Sequence, residues 1–213
     1  FMPTFRDLEN PESLLASEII SEDGVIMGTY FRENRTDVKY EDLSPNLINA
    51  LVATEDIRFY EHSGVDFRAL GRVIKGVVSG ASQGGGSTIS QQLAKMLFPR
   101  EEFSNKLQIV NRKFREWVIA VKLERSYTKE EILTMYLNKF DFLNLAVGIK
   151  SAAKVYFNTT PDSLKIEEAA MLVGMAKNPS LFNPLRRPDL TRDRRNVVLS
   201  QMLKYGYITK DAF

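Results

Sequence analysis

Apolar residues recur at helical spacing almost without a break from Ser44 to Gly206, while the segment before Ser44 is mostly polar. Ser44 is a natural N-cap and Pro45 a natural first helical residue. Leu47, Ala50, Leu51 and Thr54 follow on one face, which predicts a helix whose last turn carries Glu55 and Asp56. Asp66 can cap a helix bearing Phe67, Leu70, Ile74, Val77 and Val78 on one side, running out into Ser79 to Gly86 with its three consecutive glycines. Ser87 to Lys95 opens another helix. A long one is predicted from about Asn105 to Arg125, with the stripe Leu107, Val110, Phe114, Trp117, Val118 and Val121. Thr128 and Glu131 form a capping box for a helix to about Asn138, and Leu145 to Phe157 reads as a helix rich in small residues. Ile166 to Ala176, stopped by Asn178-Pro179, is the most apolar helix and the predicted centre of the core. Thr191 opens an amphipathic helix with Val197, Val198, Met202 and Leu203 inward. Gly206 ends it, and Thr209 to Phe213 reads as the start of one more helix. Upstream, residues 1 to 18 form a polar lead-in, Ser21 to Gly24 a turn, Val25 to Phe31 a short strand and Val38 to Tyr40 a second. The pattern is that of a mainly α protein with a small N-terminal β element.

With 213 residues the chain can build a good core, burying about 70% of its unfolded surface. It has no cysteine, so disulfides, a thiol nucleophile and Cys-based metal sites are excluded. The longest apolar run, Ala169 to Ala176, is far short of a membrane span, which needs about 20 residues. Phe1 to Asn10 lacks the basic start and apolar core of a signal peptide. The net charge of +2 hides a lopsided distribution: residues 1 to 61 carry 5 basic and 13 acidic side chains, leaving 24 and 14 for the remainder. The later part should prefer anionic partners; nucleic acid, anionic lipid and phosphorylated substrates all fit charge alone.

Candidate chemistry concentrates in three places. Glu55 and Asp56 sit at a helix C-terminus, where the dipole disfavours negative charge, a broken local rule of the kind functional sites show and frayed helix ends also show. The glycine run before Ser87-Thr88-Ile89-Ser90-Gln91-Gln92 presents free backbone N–H groups suited to phosphate, or is a plain linker before a capped helix. It is neither a P-loop nor a dinucleotide fingerprint. Lys106 to Lys129 holds seven basic residues against Glu116 and Glu124, so Glu116 is either a functional acid among cations or half of a solvated Arg112–Glu116 pair. Leu97 to Ile109, mixing Phe98 and Phe103 with Arg100 and Lys106, reads as core or as a flap against a membrane surface.

Taken together, these segments resemble the peptidoglycan glycosyltransferase domain, glycosyltransferase family 51, of bifunctional class A penicillin-binding proteins. Glu55-Asp56-Ile57-Arg58-Phe59-Tyr60-Glu61-His62-Ser63-Gly64 is similar to the family's first motif, Glu-Asp-x-x-Phe-x-x-His-x-Gly. Gly85-Gly86-Ser87-Thr88-Ile89-Ser90-Gln91-Gln92 is similar to the second, and Arg112-Lys113-Phe114-Arg115-Glu116 to the third. The fourth and fifth are resembled by Lys129 to Asn138 and by Arg194-Arg195-Asn196-Val197-Val198-Leu199.

The resemblance implies a lysozyme-like glycosyltransferase fold with head and jaw lobes. Residues 1–43 would be a lead-in and 44–213 the glycosyltransferase domain, with the jaw roughly 65–110. It implies lipid II and the growing glycan strand as partners, transferred with inversion from a polyprenyl diphosphate to the 4-hydroxyl of the acceptor N-acetylglucosamine. By the same resemblance Glu55 is the general base and Glu116 a donor-side acid. Ser87, Thr88, Gln92, Lys95, Arg112 and Lys113 would bind substrate, with Asp56, His62 and Asn138 in support. Asp56 is expected to orient the loop or a basic neighbour, and His62, the only histidine, to be a structural hydrogen-bonding residue. Trp117 is expected to serve packing, and the arginines of 192 to 195 to brace the lobes or contact phosphate.

A divalent cation, Mg2+ or Mn2+, near Glu116 is the one cofactor the resemblance allows, and no organic cofactor or nucleic acid partner is expected. The absence of any Asp-x-Asp pair agrees with a lipid-diphosphate rather than a nucleotide-sugar donor. The expected setting is the outer, periplasmic face of a bacterial inner membrane, in contact with the membrane surface and with other cell-wall synthesis proteins. An anchor is expected before Phe1 and a transpeptidase domain after Phe213. Two departures stand out. After Asn138 the family usually continues x-Ile/Val-Tyr-Phe/Leu-Gly, whereas this chain has Lys139-Phe140-Asp141-Phe142-Leu143, so Asp141 replaces a substrate-contacting Tyr. The spacing from Glu55 to Glu116 also implies an insertion around Pro99 to Ser104. The competing readings are a lytic muramidase on the same fold and a catalytically silent lipid- or glycan-binding scaffold.

Overall fold

The structure, a computed structural model, describes residues 17–20, 26–30, 37–80, 85–98 and 106–213. Side chains of 17–20, 26–30, 106–110, Ile74, Val77 and Val78 lie outside that description, as do the Ser21–Gly24 turn and the insertion around Pro99 to Ser104. Among the described residues there are eight α-helices, two short strands and two 3-10 turns, so the chain is mainly α as expected.

The strands are β1 (Ser17–Ile20) and β2 (Ile26–Tyr30), an antiparallel pair with Ser17 opposite Tyr30 and a register irregularity at Ile19/Ile20. The strand expected from Val25 to Phe31 is therefore present as β2, its partner β1 begins at the end of what read as lead-in, and the second strand expected at Val38 to Tyr40 does not form. Val38 is buried, and its N–H donates to Asn138 Oδ1 (3.0 Å) while its carbonyl accepts from Asn138 Nδ2 (2.9 Å). Tyr40–Asp42 then turns as 3-10 helix, closed by the Lys39 N–H on Asp42. One side-chain amide thus takes the place of a strand.

The helices are α1 (Pro45–Glu55), α2 (Phe67–Val78), α3 (Ile89–Leu97), α4 (Lys106–Ser126), α5 (Lys129–Lys139), α6 (Ile149–Phe157), α7 (Ile166–Ala176) and α8 (Pro188–Lys204). The Ser44 hydroxyl accepts from Asn46 N and caps α1, and Thr128 with Glu131 forms the capping box of α5. α1, α7 and α8 pack together, while α3 packs against α4 and α5, and one core of buried residues runs through both groups. Leu47, Leu51, Leu93, Leu133 and Leu172 are essentially inaccessible, each such side chain contributing about 1.5–3 kcal/mol. Met175 and Val173 from α7 lie in the same core, as the apolar run predicted.

Four expectations are corrected. On α4 the buried face is Glu116, Ile119, Ala120 and Leu123, whereas Phe114 is 56% exposed and Val118 is also exposed. The stripe read from hydrophobicity is offset because the inner face carries a charged residue. Trp117 packs edge-on against Phe114. Phe67 is exposed, because the Asp66 cap turns Ala69 rather than Phe67 inward on α2. α8 begins at Pro188, before Thr191, and buries Thr191, Val198, Leu199 and Met202 while leaving Val197 exposed. Residues 209–213 form turns, not a helix.

α6 starts at Ile149 instead of Leu145, and the reason is local. Leu143, Asn144 and Leu145 all have positive φ, a single left-handed turn in which the Phe142 N–H donates to the Ala146 carbonyl. Asp141 accepts from Leu143 N (2.7 Å), and Asn144 Nδ2 donates to the Tyr156 hydroxyl (2.8 Å). Asp141 thus shapes this turn from the position where the family pattern has Tyr. Left-handed backbone costs a non-glycine residue about 1–2 kcal/mol. Leu145 is 73% exposed, so its side chain returns little by packing. Leu145→Gly is expected to stabilise the protein by about 1 kcal/mol, a rise of roughly 2–4 °C in melting temperature; an unchanged or lower midpoint in calorimetry would contradict the strain.

Candidate active site

Glu55 closes α1 and lines a cleft of about 460 Å³ together with Ser87, Thr88 and Gln92 from the glycine-rich side and Arg194 and Lys204 from α8. Its Oε2 accepts a hydrogen bond from Gln92 Nε2 (2.9 Å), and its Oε1 faces Arg194 at 3.8 Å. Arg194 is itself largely buried, donating to the Gly174 carbonyl and lying over the Phe182 ring. Burial lowers the Arg194 pKa, and the Glu55 charge pulls it back up. The helix-end position that looked unfavourable for an acid is therefore compensated by a cation from a distant helix.

The chain after Glu55 is tied down in three directions. Asp56 is buried and accepts from His62 Nε2 (2.9 Å) and from the backbone N–H of Ile89 (3.0 Å) at the start of α3. His62 Nδ1 accepts from Gly64 N (3.2 Å), which makes Nε2 the protonated nitrogen that donates to Asp56. Gly64 has φ of +96°, and its carbonyl accepts from Thr88 Oγ1 (2.7 Å). Arg58 forms a bidentate pair with Asp66, which also caps α2 through Arg68 N and Ala69 N. Burial pushes the Asp66 pKa up, but Arg58 and the two amides outweigh it and hold the carboxyl below its ordinary value. Beneath the loop, Lys129 donates to the His62 carbonyl (2.6 Å), pairs with Glu124 (2.7 Å) and sits over the Phe59 ring, while Ser90 donates to the same Glu124.

Glu116 is not on a solvated face: it is 8% exposed, with Lys113 at 3.1 Å, Lys95 at 3.8 Å and Arg112 at 3.9 Å. Lys113 Nζ also donates to Ser87 Oγ (3.0 Å), which joins this cationic cluster to the edge of the Glu55 cleft. Among the described residues three cations surround this one carboxylate, a setting that suits an anion. Among the described residues no group of three or more His, Cys, Asp or Glu side chains could hold a metal by itself; Glu116 is the one carboxylate there that a divalent ion shared with a substrate diphosphate could use.

The residues singled out from sequence thus fall into distinct groups. Glu55, Gln92, Ser87, Lys95, Arg112, Lys113 and Glu116 meet at or beside the cleft. Thr88 lines it too, but it is 2% exposed, and its hydroxyl both donates to Gly64 and accepts from Gln91 N as the α3 cap. Asp56 and His62 are bonded to each other and hold the loop. Asn138 does not line the cleft; it clamps Val38. Arg194, read as a brace or phosphate contact, stands against Glu55 itself, and Tyr136, which the sequence placed only within the fourth motif and gave no role, donates to Gln92 Oε1 (3.1 Å). A usable signal for Arg194 was its spacing of four from Val198, which puts a cation on the buried stripe of α8.

A mainly helical fold, with Glu55 at the wall of a cleft also lined by Arg58, Arg72, Lys177, Arg194 and Lys204 and a cationic cluster beside it, has the makings of an enzyme site. Residues 23–203 match the family described as Transglycosylase, and the chain belongs to that family. It is 40% identical over 216 aligned residues to Penicillin-binding protein 1A of Escherichia coli strain K12, covering 100% of this chain and 24% of that protein. It is 36% identical over 195 residues to Penicillin-binding protein 1F of Bacillus subtilis strain 168, covering 91% of this chain and 27% of the relative. The crystal structure of Penicillin-binding protein 1A from Haemophilus influenzae superposes with a TM-score of 0.52 at 26% identity, covering 94% of this chain and 20% of that one. The chain therefore spans about a quarter of the length of these relatives.

Proposed function

We propose that this chain carries peptidoglycan glycosyltransferase activity, polymerising lipid II into glycan strands at the outer face of a bacterial inner membrane. The observation that carries the reading is the pairing of Glu55, with one oxygen that takes no hydrogen bond among the described residues, and the Ser87-linked cationic cluster across the same cleft edge. In this reading Glu55 takes the proton of the acceptor 4-hydroxyl as that oxygen attacks C1 of the donor's reducing-end sugar. The C1–O bond to the diphosphate breaks, the new C1–O4 bond forms with inversion, and the departing diphosphate carries away the electron pair. Lys95, Arg112 and Lys113 meet its charge, with Glu116 keeping the three cations in place. No step is routed through a metal.

A lytic muramidase would act on an uncharged glycosidic bond and has no use for that cluster. No helix among the described residues is long and apolar enough to cross a membrane, so membrane anchoring, a transpeptidase partner domain and contacts with other cell-wall proteins rest on the family alone. Incubation with labelled lipid II and gel separation should give a ladder of polymer. Release of muropeptides from finished wall, with no ladder, would replace this reading with the lytic one.

A further inference from the structure

We propose that Tyr136, acting through the side-chain amide of Gln92, is a positioning residue that fixes which oxygen of Glu55 receives the substrate proton; the proposal rests on the reading of Glu55 as the base. A carboxylate can only accept hydrogen bonds, so Glu55 Oε2 must face the NH2 end of Gln92, as it does at 2.9 Å. An amide offers either end by a half-turn about its last bond, and the choice is made at its other end. There the Tyr136 hydroxyl donates to Gln92 Oε1 at 3.1 Å, leaving the nitrogen no alternative but Glu55.

Tyr136 is suited to that task. It is 1% exposed and its ring stacks on Phe140, so the hydroxyl cannot turn to water. Burial, with the Glu55 charge adding to it, pushes the phenol pKa well above its ordinary value, and the group stays a donor at every working pH. The result is a directional chain, Tyr136 to Gln92 to Glu55, that ends on Oε2. Oε1 receives no hydrogen bond among the described residues, its nearest cation being Arg194 at 3.8 Å. It is therefore Oε1 that keeps a lone pair directed at the incoming hydroxyl. Without the Tyr136 hydroxyl the amide can reverse, place Oε1 of Gln92 against Oε2 of Glu55 and turn the carboxylate away.

Tyr136→Phe removes one oxygen and keeps the stacked ring. In the intact polymerising protein it should lower kcat roughly 10- to 100-fold, the scale of a misplaced catalytic group, with KM for lipid II unchanged. In a Gln92→Met background it should add nothing further, because the chain is already cut. Unchanged kcat, or two losses that multiply independently, would overturn the proposal. So would a Gln92→Met variant whose KM rises at constant kcat, since that makes Gln92 a substrate contact; this variant also carries the test should Tyr136→Phe fail to fold. A second readout needs no turnover. The Gln92 side-chain NH2 resonances, identified by their loss in Gln92→Met, should move in Tyr136→Phe and in Glu55→Gln. If they stay put in Tyr136→Phe the relay is wrong, whatever the assay shows. If they move while Glu55→Gln polymerises normally, the relay stands and the base assignment falls.

Discussion

Glu55→Gln should lower lipid II polymerisation by about 10²- to 10⁴-fold, the usual contribution of a positioned base. Glutamine matches the volume of the acid and can still meet Gln92, so the cleft keeps its shape. What it cannot do is take a proton. The substitution also removes the negative charge facing Arg194, but that guanidinium keeps the Gly174 carbonyl and the Phe182 ring, so the local fold should hold. Initial rates with labelled lipid II at equal protein concentration, checked against melting temperature, decide the matter. A ladder undiminished in a stably folded variant would remove Glu55 from its role.

The largest effect on stability should come from a single methyl group. Gly64→Ala would place its Cβ 2.7 Å from the Ala120 carbonyl carbon and 2.8 Å from Val121 N, both backbone atoms of α4. The backbone at φ +96° adds its own penalty for an L side chain, about 1–2 kcal/mol, and overpacking against a rigid helix adds roughly 1–3 kcal/mol. A total near 3 kcal/mol corresponds to a fall of roughly 6–12 °C in melting temperature for a domain of this size. Activity should fall with it, because a displaced Gly64 carbonyl releases Thr88 and with it the start of α3. A midpoint within a degree of wild type would show that the loop yields where the contact distances say it cannot.

Much of the architecture was legible because local signals agreed with one another. Ser44-Pro45, the Thr128/Glu131 box and the unbroken apolar run of α7 each combine a cap or a stop with a matching period, and all three helices form where those signals put them. Legibility failed where a buried face carries charge. Glu116 and Arg194 both lie on inner faces, so a reading that sorts residues by hydropathy turns α4 outward and does not reveal that the ion-pair partner of Arg194 is Glu55. It failed again where pairing is long-range: nothing near Val38 announces that its strand partner is the amide of Asn138. In the site, residue types and motif order pointed to Glu55 and its cationic neighbours. The division of labour did not show, because Thr88 and Gln92 look alike as polar cleft residues until their partners are known.

The Asp56 carboxylate, bonded to His62 and to the Ile89 amide, has a dynamic consequence. The loop after α1 cannot lift without uncapping α3, and α3 cannot fray at its start without freeing the loop. The amides of Gly64 and Ile89 should therefore belong to one cooperative opening unit and exchange with solvent at a common free energy, which native-state hydrogen exchange would read, rather than as two loops with separate flexibility. The carboxylate beside them and the polar helix start that faces it are then expected to order together, so that both walls of the cleft are assembled by one event.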